Sequence, residues 1–556
     1  MTMSSPNTWL LVVVLILAVG LCRAGDRPIL LGVDNAGSDW IYRSDCEPAS
    51  DEQLRKALDE LGVNFFVYHL IPDGAGTPEA MARRVARIDD AMRSLGIRYT
   101  LNDESANWAK SLELEPGVNE FAHPDGTHRW DLRMDWLEQV LPPAKPGAPA
   151  LIGITHDECE HMQLTSHQFA TYPEPPALDA PRFADTDGKD METAYNLIYA
   201  SAKRIHERYY KGRVVNAAEQ VWPDMFHIFA RAGWVVAPKI LKENLSSVVM
   251  AISLGAAIQY AEPDSQWWVS PDLWCGGYYP GHSPQALRSA LLMGYWLGAD
   301  ALYVENLDFQ VCELRHPEAP PKGSLLRWND DGSYELTAYG KVVKDFYRRY
   351  VPAHPRKVSW RDYRPKVAII RLPDGAWGQK GTMFRDRLLG NREHPMDDIS
   401  AEWLHVWPIL THGVARDGAI SLNNGTVYPV FPWPFFVPID SVAVFDHLVT
   451  GKVLDSVECF VVCGHALSER TFRDVAARVG KGATCIIARR LYDQHASGKL
   501  PGKWIIVDSF TDPAVARGLK PFLGPSDVAR FRFDGCTIEF RPTTDRDSVD
   551  VRVVPD

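Results

Sequence analysis

The stretch LRKALDELGVNFFVYHL, residues 54–70, decides the fold. Its first half spaces Leu54, Ala57, Leu58 and Leu61 at helical intervals, one apolar stripe on a charged surface. Gly62 stands where that helix ends, the position that favours a left-handed backbone. From Val63 to Leu70 the chain is almost continuously apolar. That is the pattern of a strand buried on both faces of a parallel sheet.

The same helix–glycine–strand unit recurs in RIDDAMRSLGIRYTLND (87–103), FHIFARAGWVVAPKI (226–240) and LLMGYWLGADALYVENL (291–307). Strand candidates fall at 29–34, 63–70, 97–102, 150–155, 213–218, 234–240, 266–272 and 300–305, with helical patterns between most of them. This count and alternation predict an α/β fold, a (β/α)8 TIM barrel. The alternative, a doubly wound open sheet, lacks a glycine-rich phosphate-binding turn after any strand.

With 556 residues the chain has room for two or three domains. The apolar run Trp9–Cys22, followed by Arg23 and Ala24, reads as a signal peptide over residues 1–24, with an uncleaved anchor as the competing reading. The protein is then secreted or periplasmic. The barrel is expected over 25–350 and a Pro- and Arg-rich linker, VPAHPRKVSWRDYRP, over 351–365. Apolar strands such as KVAIIRL, CFVVCG and TCIIARR predict a smaller flavodoxin- or amidotransferase-like α/β domain over 366–525. Residues 526–556 alternate in polarity and predict a short antiparallel β tail.

The formal charge is −12 with no long basic run, which argues against nucleic acid as a partner. Eighteen Trp and 20 Tyr supply flat rings that pack in cores or stack on sugars. Eight cysteines follow Cys22 without a CxxC pair, so no zinc framework is indicated, and an exported chain can form one or two disulfides. A homo-oligomer, if one forms, is expected through the C-terminal α/β domain.

In a barrel the chemistry sits at the C-terminal ends of the strands. Here those ends carry Asp34, His69, Asn102-Asp103-Glu104, Asp157-Glu158, Glu219-Gln220, Lys239, Asp272 and Glu305. Trp274, Tyr278, Tyr279 and His282 follow the seventh strand. Carboxyl groups from different strands, facing one another across a barrel mouth, suit glycosidic-bond hydrolysis by paired acids. Asp34, Asp157, Glu219, Lys239, Trp274, Tyr278, Tyr279 and His282 are the candidate substrate-binding residues.

The acid-tipped barrel followed by an α/β domain resembles (β/α)8 glycoside hydrolases with a C-terminal glutamine-amidotransferase-like domain, the layout of family 42 β-galactosidases. The likeness is architectural and spans roughly residues 28–525. It implies that Glu158, ending the fourth strand, is the acid/base, although Asp157 stands where that clan has Asn. The clan's nucleophile is a Glu ending the seventh strand; this chain has Asp272 there, and Glu305 on the eighth is the nearest Glu. The expected catalytic set is therefore Glu158, Glu305 and Asp272. In the second domain, Val461 and His465 flank Cys463 where an amidotransferase elbow has glycines, so that domain is expected to be non-catalytic.

No cofactor is called for. His156, Glu158, Glu160 and His161 match no fixed-spacing zinc motif. A carboxylate-held Ca²⁺ or Mg²⁺ in a barrel hydrolase or lyase is one competing reading. A non-catalytic carbohydrate-binding barrel is the other.

Overall fold

The structure is a computed structural model, which describes residues 28–35, 51–70, 78–103, 121–122, 128–129, 132, 134–164, 183–209, 213–241, 245–273, 283–305, 307–308, 324–329, 333–377, 387–415, 437–544 and 548–556. The expected signal peptide lies outside them.

The eight expected strands close into one parallel barrel. They are β1 (Leu30–Asn35), β2 (Phe65–His69), β3 (Arg98–Asp103), β4 (Leu151–Asp157), β5 (Val215–Gln220), β6 (Val235–Ile240), β7 (Trp268–Pro271) and β8 (Ala301–Glu305). Each pairs with its neighbours in sequence, and β1 closes on β8 from Leu30 opposite Ala301 to Asp34 opposite Glu305. The glycines that punctuate the sequence do what the pattern demands. Gly62, Gly96, Gly233 and Gly298 have φ of +83°, +66°, +90° and +90°, each turning a helix into the next strand.

Strand alternation sorts the side chains into two cores. One face of each strand packs on the surrounding helices. The other fills the barrel with Leu30, Phe65, Val67, Ala217, Val235, Ala237, Trp268, Ala301 and Tyr303. Phe65 meets Trp268 and Tyr303 edge to face, with centroids 5.5 and 5.9 Å apart. Because the side-chain period in a strand is two, the residues that continue this inner face point into the barrel mouth.

The second α/β unit is a parallel sheet of β9 (Val367–Arg371), β11 (Val442–Asp446), β12 (Cys459–Val462), β13 (Thr484–Ala488) and β14 (Lys503–Val507), ordered β11-β9-β12-β13-β14. Strand β10 (Ile439–Asp440) joins β15 (Ala529–Phe533), β16 (Cys536–Pro542) and β17 (Val549–Pro555) in a mostly antiparallel sheet, so the expected β tail takes in one strand from before it. Within 351–365, Trp360 and Tyr363 are buried. Trp360 donates to Asp300, and Tyr363 donates to the Val442 carbonyl at 2.8 Å.

Edge strand β11 is covered by the barrel helix Ser246–Gln259, which comes so close that a Cβ on Gly255 would lie 1.9 Å from the Val444 carbonyl oxygen. His227 bonds that same oxygen at 2.8 Å. Asp446, at the end of β11, accepts from Tyr195, Gln259 and Tyr260 of the barrel. Among the described residues, no helix is long and apolar enough to cross a membrane.

Candidate active site

Reading the inner face of each strand to its C-terminal end gives one polar residue per strand. Asp34 follows Leu30, His69 follows Val67, Glu219 follows Ala217 and Lys239 follows Ala237, each an even number of residues on. Asn102 continues from Thr100, Asp157 from Thr155, Asp272 from Ser270 and Glu305 from Tyr303. All eight are buried.

Lys239 organises the ring. Its Nζ lies 2.8 Å from Asp157, 2.9 Å from Glu305, 3.5 Å from Glu158 and 3.9 Å from Asp272. Burial opposes its charge. The charges of Asp157, Glu305, Glu219 and Glu158 outweigh that penalty and hold the ammonium well above the ordinary lysine value. A cation contributed by the chain itself thus sits among the carboxyls.

Glu219 behaves oppositely. Burial raises its carboxyl well above the ordinary range, and the charges of Asp157 and Asp34 add to this. Lys239 and the Ser270 hydroxyl pull the other way without reversing it. Beside Glu219 the Tyr303 hydroxyl is also pushed up, by burial first and then by Glu219 and Asp34. On the other side of the mouth, His69 Nε2 pairs with Asp34 and lies 2.8 Å from Asn102 Nδ2.

Glu158 stands just past β4 with φ of +44°, a left-handed backbone that a non-glycine residue seldom adopts. Such conformations cost on the order of 1–3 kcal/mol and concentrate at functional sites. Glu158 and Glu305 come from strands four apart around the barrel, yet both reach the same nitrogen. One oxygen of each lies within 3.5 Å of Nζ, which brings the two carboxyls near one another.

The remaining residues of the 153–161 cluster divide by geometry. His156 faces outward, 3.1 Å from Asn216 Oδ1 and against the Trp234 ring. Glu160 is buried in the helix Cys159–Leu164 and accepts the backbone N–H groups of Val221 and Trp222 at 2.7 and 2.9 Å. Burial raises its carboxyl too. It ties the turn after β4 to the turn after β5. The His161 side chain lies outside the described residues, as do Trp274, Tyr278, Tyr279 and His282.

The structure brings together Asp34, Asp157, Glu158, Glu219, Lys239, Asp272 and Glu305. With them stand His69 and Asn102, also named at the strand ends, and the structure adds Ser270 and Tyr303, which composition alone does not single out. The signal for them was positional, since each lies on the inner face at or one step below the rim.

No protein-family model and no curated protein matches the chain. Among solved structures, it is similar to an exo-β-1,4-mannosidase from Opitutaceae bacterium strain TAV5, at 13% identity over 95% of this chain and 86% of that one, with a TM-score of 0.45. It is also similar to a GH42 β-galactosidase from G. stearothermophilus, at 10% identity over 95% and 80%, with a TM-score of 0.44. A GH5 protein from Bifidobacterium longum subsp. infantis matches at 11% identity over 78% and 97%, with a TM-score of 0.42. The likeness is one of layout; the barrel is established by its own strand pairing.

In the second unit, Cys463 follows β12 and is buried, which pushes its thiol up. The next N–H, of Gly464, donates to Glu402 at 2.9 Å, and Arg490 grips the same carboxylate at 2.6 and 2.7 Å. In a nucleophile elbow that N–H would face a substrate oxyanion; here an internal carboxylate takes it.

Proposed function

We propose that the barrel mouth hydrolyses O-glycosidic bonds of an oligo- or polysaccharide, with Glu158 as acid/base and Glu305 as nucleophile. The observation that carries this reading is the convergence of both carboxyls on Lys239 Nζ. Glu158 protonates the glycosidic oxygen while Glu305 attacks the anomeric carbon, and the leaving sugar departs with that proton. Glu158 then takes a proton from water, whose oxygen displaces Glu305 from the glycosyl ester.

Lys239 donates to Glu305 at 2.9 Å and fixes its direction. Asp272, opposite Glu305 in register, supplies negative charge beside the cationic transition state. Asp34, Asp157 and Glu219 bind sugar hydroxyls. Trp274, Tyr278, Tyr279 and His282, next in sequence after β7, line the sugar. Residues 1–24 export the chain, so the substrate is met outside the cytoplasm. The second α/β unit carries no amidotransferase chemistry.

Release of p-nitrophenol from a panel of aryl glycosides tests this reading. Glu158→Gln and Glu305→Gln each lower kcat by about 10²- to 10⁴-fold, the range a lost catalytic acid or base costs, with the fold retained by circular dichroism. Full activity in both variants contradicts it.

Asp272 in place of the glutamate that ends the seventh strand in the resembling clan favours one second reading, a barrel that binds carbohydrate without cleaving it. Calorimetric binding of a glycan with no product formed would establish that instead.

A further inference from the structure

We infer that the second α/β unit braces the turn that carries Glu158, through the turn Leu388–Asn391, so that the proposed catalytic acid is positioned by both units. The inference rests on the role given to Glu158 above.

The starting point is the strain in that turn. A left-handed non-glycine residue persists only where its surroundings over-determine it. Glu158, with φ of +44°, is followed at once by the short helix Cys159–Leu164. A helix of this length cannot hold itself, because helix nucleation is unfavourable and too few bonds follow it. Its fixed points are therefore external. Glu160 ties it to the end of β5 through Val221 and Trp222.

The far end is tied to the second unit. Gln163 Nε2 donates to the Leu389 carbonyl at 2.9 Å and to the Ala184 carbonyl at 3.1 Å, and its Oε1 accepts from the Ala184 N–H at 3.1 Å. The Leu389 carbonyl also accepts from Thr186 at 2.9 Å. All of these groups are buried.

The fit leaves no slack. A Cβ on Gly390 would stand 2.0 Å from the Gln163 carbonyl oxygen, and one on Gly375 would stand 2.6 Å from Leu164 Cδ2. Leu389 itself is left-handed, with φ of +50°. Two strained turns, one from each unit, are thus pressed together with the helix Cys159–Leu164 between them. Displacing the outer turn displaces the inner one. Around this contact, Arg392 holds Asp187 at 2.6 Å and Asn391 donates to the Lys189 carbonyl at 2.8 Å.

The test compares Gly390→Ala with Gly413→Ala. Both glycines lie in the second unit with left-handed φ, +70° and +80°, but no atom comes within 4 Å of a Cβ added at Gly413. The two variants share the backbone strain and differ in the wedge. Hydrogen exchange of peptides covering Cys159–Leu164 is measured with kcat and KM on an aryl glycoside. Gly390→Ala accelerates exchange there and lowers kcat on the order of 100-fold, the cost of misplacing a catalytic group by about an ångström, while KM changes by less than about threefold. Gly413→Ala leaves both near wild type.

Should Gly390→Ala not fold, Gln163→Leu removes the tie without added bulk and is expected to raise the same exchange. Exchange and kcat in the tie variant indistinguishable from Gly413→Ala overturn the brace. Absence of glycosidase activity in the wild type overturns the functional reading instead, and exchange alone then decides the brace.

Discussion

Lys239 Nζ donates to Glu305 Oε2 at 2.9 Å, inside a ring where Asp157, Glu158 and Asp272 face the same ammonium. One cation at the barrel mouth is thus shared by four carboxyls.

Replacing Lys239 by Met leaves those carboxyls buried without their counter-charge. Breaking a buried pair in this way costs about 3–5 kcal/mol. Urea denaturation measures it. The lysine value is raised in the folded state, so its stabilisation is fully present below the unfolded value of 10.5 and is lost only as pH rises through the folded one. The lysine's own contribution is unchanged from pH 6 to 9, while the carboxyls left without it in Lys239→Met are driven upward by burial and mutual repulsion, so the gap holds or widens as pH rises. A gap that closes within that range contradicts the assignment.

Glu219→Gln tests the upward shift of the Glu219 carboxyl. Its value lies above the ordinary 4.5 in the folded protein, so folding takes up a proton and wild-type stability falls as pH rises above 4.5 toward the folded value. Glutamine keeps the shape and removes that dependence. The variant gains stability over wild type between pH 5 and pH 8, read by denaturant midpoints at several pH values. Equal midpoints throughout contradict the assignment.

Asp224, after β5, is buried where the barrel meets the second unit, and burial lifts its carboxyl to about 7. The Arg371 charge and the residue's own backbone N–H oppose this, and Asp374 adds to it. The protonated form is the one the fold prefers, so stability is lost as pH climbs from 3.8 to about 7. Asp224→Asn restores on the order of 4 kcal/mol by pH 8, at 1.36 kcal/mol per pKa unit, and nothing below pH 4. Thermal unfolding at pH 4 and pH 8 checks the difference.

The barrel was legible because its signals are local. Gly62, Gly96, Gly233 and Gly298 mark helix ends, and apolar runs such as Phe65–Tyr68 mark strands buried on both faces. The acids at the rim were legible for the same reason, since strand ends can be counted. Their mutual arrangement was not. The partners of Lys239 stand at the ends of β4, β7 and β8, none of them near it in sequence. How far a rim carboxyl shifts depends on burial and on charges from distant strands, as Glu219 shows. Ser270 and Tyr303 resembled core residues because their neighbours on β7 and β8 are core. The brace on Glu158 joins residues more than 200 positions apart, from Gln163 to Leu389, and no periodicity reports such a contact.

The central claim is that Glu158 and Glu305 act as a closely spaced pair. The most direct measurement is ¹H NMR of the anomer first released when the protein cleaves an aryl glycoside, read before mutarotation. A retaining pair releases the anomer of the substrate's own configuration. First release of the opposite anomer would make water the nucleophile and contradict the role given to Glu305.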